Sequence, residues 1–187
     1  RLKLVMEMES DRMTNLVITP DELDTERRVI LEERRLRVDN DPSAVLAEQA
    51  NAALFMNHPY RHPIIGWEHE IRAIELDDVL QFYRRWYTPN NAVLVVAGDI
   101  TAEKLRPMAE QTYGRILALP ATPRKRPREP PHKAKRKIIL RDSRVRQPSW
   151  SRTVLAPSYK TGETEHAHAL EVLAQILGSG ATSRIYR

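Results

Sequence analysis

The 187-residue chain has no cysteine. Disulfides, thiolate zinc sites and cysteine nucleophiles are therefore excluded, although this absence does not choose between the periplasm and the cytoplasm. The sequence also lacks the run of about 18 apolar residues that a transmembrane helix requires, so no membrane span is predicted. The opening residues, Arg1 to Val5, contain no apolar signal core. Hydrophobic residues make up 41% and charged residues 29% of the chain, which is typical of a globular protein.

The positive charge of the chain is concentrated in one segment. The net charge is +5, and residues 120–137 hold eight lysine or arginine residues, one glutamate and five of the 13 prolines. Proline density and like-charge repulsion both oppose packing. We therefore interpret residues 120–137 as a linker between two domains, residues 1–119 and 138–187. Binding of a polyanion to this segment is the alternative interpretation, but a solvated tether is preferred and no nucleic-acid partner is predicted.

Helical periodicity alternates with short apolar runs along the chain. Helices are predicted over residues 21–38, 42–56, 75–87, 101–113 and 163–177. Residues 91–98 form a continuous apolar run that is typical of a strand buried on both faces, and residues 137–141 and 151–156 are predicted as further strands. The predicted fold class is therefore α+β. We expect two roll-like units, each an antiparallel or mixed sheet with helices on one face, the first truncated at its start and the second at its end.

The predicted helix over residues 21–38 places two carboxylates within its apolar arc. At about 100° per residue, Glu26 and Glu33 lie roughly 20° apart around the helix. Burying an unpaired carboxylate costs on the order of several kcal/mol, so each of them needs a partner. One explanation is a metal ligand with a second carboxylate beside it. The other is a pair of acids neutralised by Arg34 or Arg37, and the helix geometry alone favours this second explanation.

The sequence from Glu26 to Glu33 resembles the downstream signature of the pitrilysin/insulinase family of zinc metallopeptidases, the inverzincins. Other stretches follow in the order typical of that family: Glu9 to Asn15, Asn57 to Tyr60, Trp86 to Ala92, Val95 to Asp99 and Ile176 to Gly180. The resemblance therefore extends along essentially the whole chain.

In that family two zinc histidines and a general-base glutamate lie in an H-x-x-E-H helix. The resemblance implies that Glu33 is the third zinc ligand and that Glu26 supports the site from beside it. None of the six histidines of this chain lies in such a motif. The motif is therefore expected before Arg1, and both ends of the chain are expected to be internal to a longer protein.

The resemblance thus implies a zinc metalloendopeptidase in full-length form, with Zn²⁺ as its metal and peptides or unfolded polypeptides as its substrates. The isolated chain is expected to be inactive and to bind zinc weakly, because a single carboxylate cannot hold the ion. One alternative is a non-catalytic subunit of the same family, which would partner another subunit in a homodimer or heterodimer. A further alternative is a polyanion-binding protein that acts through residues 120–137.

Overall fold

The structure, a computed structural model, describes residues 1–120, 123 and 127–186. It divides into two compact units, Arg1–Arg144 and Val145–Arg187. The domain boundaries predicted from the sequence stay a prediction. Residues 121, 122 and 124–126 of the predicted linker lie outside the described residues.

The described part of the first unit contains six α-helices, which are named α1 to α6 in chain order. Their bounds are Leu2–Arg12, Pro20–Arg34, Pro42–Leu54, Glu68–Ala73, Leu76–Trp86 and Ala102–Gln111. A π-helical turn, Arg35–Asp39, follows α2, and short 3₁₀ turns lie at Pro59–Arg61, Pro89–Asn91 and Tyr113–Arg115. In the second unit a 3₁₀ turn, Thr164–His166, leads into α7, Ala167–Gly178. The five predicted helices are confirmed, with ends that differ by a few residues.

The predicted α+β fold class is wrong. The regular structure of the described residues is helical throughout and includes no strand. Within the run 91–98, which was expected to be buried on both faces, Val93 is 88% and Val95 is 82% exposed. Residues 137–141 and 151–156 are likewise irregular. A run of β-branched residues favours an extended backbone, but a sheet forms only when neighbouring strands exchange hydrogen bonds, and composition does not supply the partner.

The start of α2 is fixed by a reciprocal pair of cap hydrogen bonds. The backbone N–H of Glu22 donates to Thr19 Oγ1 at 3.3 Å, and the backbone N–H of Thr19 donates to Glu22 Oε2 at 2.8 Å. Pro20 occupies the first turn, where a missing N–H leaves no helical bond unmade. The backbone and side-chain hydrogen bonds from Thr19 also lower the pKa of the Glu22 carboxyl.

The small apolar core of the first unit has contributions from α1, α4 and α5. Its buried apolar side chains are Met6, Ile71 and Tyr83. The Tyr83 hydroxyl donates to the Arg12 carbonyl at 2.8 Å and accepts from the Leu16 N–H at 3.2 Å. One side chain of α5 therefore satisfies one backbone group at the end of α1 and another in the loop that follows it, which connects α5 to this end of α1.

The described end of the predicted linker contacts the loop that follows α3. The Glu129 carboxylate accepts hydrogen bonds from the backbone N–H groups of Met56, Asn57 and His58 at 2.6, 2.9 and 2.8 Å. It also lies 2.8 Å from His132 Nε2, and its side chain is 14% exposed. Successive backbone N–H groups that converge on one carboxylate form a concave anion site. This part of the segment is therefore held against the first unit by Glu129.

Among the described residues, no helix combines the length and the apolar character that crossing a bilayer demands.

Candidate metal-binding site

The inward face of α2 carries two arginines that lie seven residues apart. The side chain of Arg27 is 21% exposed and that of Arg34 is 7% exposed. Seven residues make two helical turns, so the two arginines share one face. Arg27 forms an ion pair with Asp24 and donates through Nη2 to the carbonyl of Ile74 at 2.5 Å. Arginine, rather than glutamate, therefore attaches α2 to its neighbours.

Arg34 is the centre of a buried polar cluster. Its Nη1 donates to Glu48 Oε2 at 2.7 Å and to the Gly66 carbonyl at 2.8 Å. Its Nη2 donates to Glu48 Oε1 at 3.0 Å and lies 3.4 Å from Asp39 Oδ1. The hydrogen bonds with Glu48 raise the pKa of Arg34 above its ordinary value, despite its burial. Through these contacts the guanidinium joins α2, the π-helical turn, α3 and the loop before α4.

Glu26 and Glu33 lie on an exposed flank of α2, so the expectation that they are buried is wrong. The Glu33 side chain is 46% exposed, and its Oε1 lies 3.0 Å from Nε of Arg37. The sequence suggested Arg34 or Arg37 as the partner of the two acids. Arg37 is the partner of Glu33, whereas Arg34 pairs with Glu48. The sequence pattern misplaced the inward face because it treats arginine as a surface residue. A paired arginine can be buried, and its partner on another helix is invisible in the sequence of α2.

Glu33 borders an open groove of about 570 Å³ on the first unit. The groove is lined by Arg28, Val29, Glu32, Glu33, Leu36 and Arg37. Two of its apolar side chains are more than half exposed, Val29 at 56% and Leu36 at 63%. Glu26 borders a separate, smaller groove of about 230 Å³. A carboxylate beside uncovered apolar surface is accessible to a ligand and to a further segment of protein.

Glu33 fits the role of one zinc ligand but does not form a site alone. Zinc accepts carboxylate oxygens at about 2.0–2.2 Å and takes three protein ligands in typical catalytic sites. Within the part of the chain that the structure describes, no three histidine, aspartate or glutamate side chains come together as a metal-binding group. A zinc site that includes Glu33 is therefore not complete within these residues.

Comparison with known proteins identifies the class to which the chain belongs. Residues 73–187 match the family model described as the Peptidase M16 inactive domain. This match covers more than half of the chain, and the chain therefore belongs to the M16 peptidase family. The resemblance to zinc metallopeptidases of the pitrilysin/insulinase type is confirmed.

The similarity to individual members of the family extends along the whole chain. The zinc protease PqqE of Helicobacter pylori is 29% identical over 182 residues, which cover 95% of this chain and 40% of that protein. A protein of Mycobacterium leprae named as an uncharacterized zinc protease is 30% identical over 189 residues, which cover 100% of this chain and 41% of that protein. The crystal structure of a protease from Helicobacter pylori has a TM-score of 0.74 at 27% identity, over 99% of this chain and 45% of that one. The chain thus spans about two fifths of the length of the curated relatives it matches.

Proposed function

We propose that this chain is part of a zinc metalloendopeptidase and that Glu33 supplies one of its zinc ligands. The observation that carries the proposal is the position of Glu33, whose carboxylate is 46% exposed at the edge of an open, partly apolar groove. Membership of the M16 family and the zinc-protease names of relatives aligned over the whole chain support it. Peptides or unfolded polypeptides are the proposed substrates, because hydrolysis of peptide bonds is the activity that those names state.

Each of the two carboxylates has a distinct role in this proposal. A carboxylate oxygen of Glu33 binds the metal, and the remaining ligands come from outside the described residues. Glu26 lies two turns earlier on α2 and supports the site by hydrogen bonds to a ligand or water. A metal held by Glu33 and the other ligands would supply Lewis-acid chemistry to the site: polarisation of the scissile carbonyl and activation of a water molecule. Arg37 pairs with Glu33 through Oε1, which leaves Oε2 as the oxygen of the carboxylate that would bind the metal.

The test is a Glu33→Gln substitution in the full-length protein, with zinc content and peptidase activity measured together. The amide keeps the size of the side chain but removes its charge, so we expect zinc to fall from one equivalent to near zero and activity to be lost. Glu32→Gln is a matched control, because Glu32 is 50% exposed and pairs with Arg35 at 2.7 Å. Unchanged zinc content in the Glu33 variant means that Glu33 is not a ligand.

A second candidate function is that of a non-catalytic partner subunit of the same family. It is favoured by the description of the family model that matches residues 73–187, which is that of an inactive domain. In this case the purified full-length protein contains no zinc and cleaves no peptide alone, but it stimulates an active subunit when the two are mixed. Stoichiometric zinc in the protein purified alone excludes this role.

A further inference from the structure

Glu33 lies at the junction of two kinds of helix. The α-helix α2 ends at Arg34, and the π-helical turn Arg35–Asp39 begins at the next residue. The turn continues the helix with a wider spacing of hydrogen bonds: the Asn40 N–H donates to the Arg35 carbonyl at 3.0 Å, one residue further along than in an α-helix. π-helical turns within helices are rare and occur frequently at functional sites. The direction of the Glu33 side chain therefore depends on what holds this junction.

Arg34 holds the junction from the inside. Its planar guanidinium makes two parallel hydrogen bonds with the Glu48 carboxylate, and this fork fixes its orientation in a way that a lysine cannot reproduce. The side chain of Glu48 is itself only 9% exposed. Gly66 has a φ of +99°, a conformation that side-chain-bearing residues rarely adopt, and in this conformation its carbonyl accepts from Arg34 at 2.8 Å.

A second arginine holds the other end of the π-helical turn from the outside. Arg144 Nη1 donates to the carbonyls of Asp39 and Asn40 at 3.1 and 2.9 Å. The Arg144 side chain is oriented by Asp142, whose Oδ2 accepts from Nη2 at 2.7 Å. Both ends of the turn are therefore fixed, and Glu33 and its ion-pair partner Arg37 lie one on each side of the junction.

We propose that Arg34 is a positioning residue that sets the direction of Glu33 and thereby the metal affinity of the site. Consecutive residues of an α-helix differ by about 100°, so fixing the inward direction of Arg34 fixes the outward direction of Glu33. Arg34 does not touch the metal and acts only through the helix end. This inference rests on the proposed role of Glu33 as a ligand.

The test is an Arg34→Lys substitution in the full-length protein, with zinc affinity measured by competition with a chelator. Lysine keeps the charge and the alkyl stem but loses the two-pronged contact with Glu48. We expect zinc affinity to fall by about 10- to 100-fold, the range found when residues that orient metal ligands are changed. Arg35→Lys is the matched control, because Arg35 is the adjacent residue, is exposed and pairs with Glu32.

Cobalt substitution separates positioning from general stabilisation. A change in ligand geometry alters the visible spectrum of bound Co²⁺, whereas a loss of stability lowers only the melting temperature. We expect an altered spectrum for Arg34→Lys and for Glu48→Gln. Both substitutions break the same contact, so Glu48→Gln tests the inference if Arg34→Lys does not fold. A spectrum and a zinc affinity equal to those of Arg35→Lys overturn the inference.

Glu33→Gln is measured in the same series to distinguish the two possible failures. If Glu33→Gln loses zinc while Arg34→Lys and Glu48→Gln bind it normally, only the positioning role is wrong. If Glu33→Gln binds zinc normally, the proposed ligand is wrong and the positioning role fails with it.

Discussion

Adjacent residues of α2 have opposite surroundings. Arg34 is the only charged residue that is buried among the described residues, whereas Glu33 before it is half exposed. Removing one partner of a buried ion pair is costly because the other charge remains without compensation. An exposed ion pair such as that of Glu33 with Arg37 contributes about 0–1 kcal/mol, so Glu33 can exchange Arg37 for another ligand at little cost.

The contribution of the Tyr83 hydroxyl to the stability of the first unit can be tested by removing that group alone. Tyr83→Phe removes the hydroxyl that satisfies the Arg12 carbonyl and the Leu16 N–H. We expect the free energy of unfolding to fall by about 1–3 kcal/mol, because two partly buried backbone groups lose their partner. The measurement is urea denaturation. Tyr87→Phe is the control, since Tyr87 is 52% exposed, and an equal effect of both substitutions contradicts the proposed role of the Tyr83 hydroxyl.

The contact between Glu129 and the loop that follows α3 is sensitive to acid. Burial of the Glu129 carboxylate opposes its ionisation, but hydrogen bonds from His132 and from the N–H groups of Asn57, Met56 and His58 outweigh it and lower the pKa to about 2. The pKa of Glu129 is lower in the folded state than in the unfolded state. The contact therefore contributes its full stability when the pH is above 4.5, the ordinary pKa of the carboxyl group. This contribution is lost as the pH falls through about 2.

We predict that Glu129→Gln removes this pH dependence and loosens the segment at neutral pH. The amide has one acceptor oxygen where the carboxylate has two, so it cannot satisfy all three backbone N–H groups. The amides of residues 56–58 should exchange with solvent faster, and the arginines and lysines of residues 128–137 should be cleaved sooner by trypsin. Glu110→Gln, at an exposed position on α6, is the control. Equal exchange rates in both variants argue against the Glu129 contact.

Each of the two units has large apolar side chains that are exposed among its described residues. Exposed apolar side chains include Val93, Leu117 and Trp150, at 88%, 83% and 84%. Large uncovered apolar areas mark surfaces that contact other protein. Val29 and Leu36, in the groove beside Glu33, are uncovered apolar side chains of the same kind.

We predict that the isolated chain binds zinc weakly, because Glu33 alone cannot satisfy the ion. Titration of residues 1–187 with zinc should give a dissociation constant far weaker than that of the full-length protein and no defined stoichiometry. The comparison is made at equal pH and ionic strength, with Glu33→Gln in both proteins as the control. Tight binding of one equivalent by the isolated chain means that its own residues complete a site and that the proposed ligand set is wrong.

Local features of the sequence predicted where the helices lie, but they did not predict which helix faces are buried. Thr19 and Pro20 define the start of α2, because capping and proline placement act within one turn. The inward face of α2 was misplaced because Glu48, which makes the burial of Arg34 favourable, lies on another helix. The strand expected at residues 91–98 failed for a related reason, since hydrogen bonds to a distant partner decide whether an extended segment joins a sheet.

The most direct measurement is X-ray absorption spectroscopy of the zinc-loaded full-length protein, compared with the Glu33→Gln and Glu32→Gln variants. We predict an oxygen ligand at about 2.0–2.2 Å in the unsubstituted protein and in Glu32→Gln, and loss of the bound metal in Glu33→Gln. A Glu33→Gln variant that binds zinc fully, with an unchanged absorption spectrum, contradicts the assignment of Glu33 as a ligand.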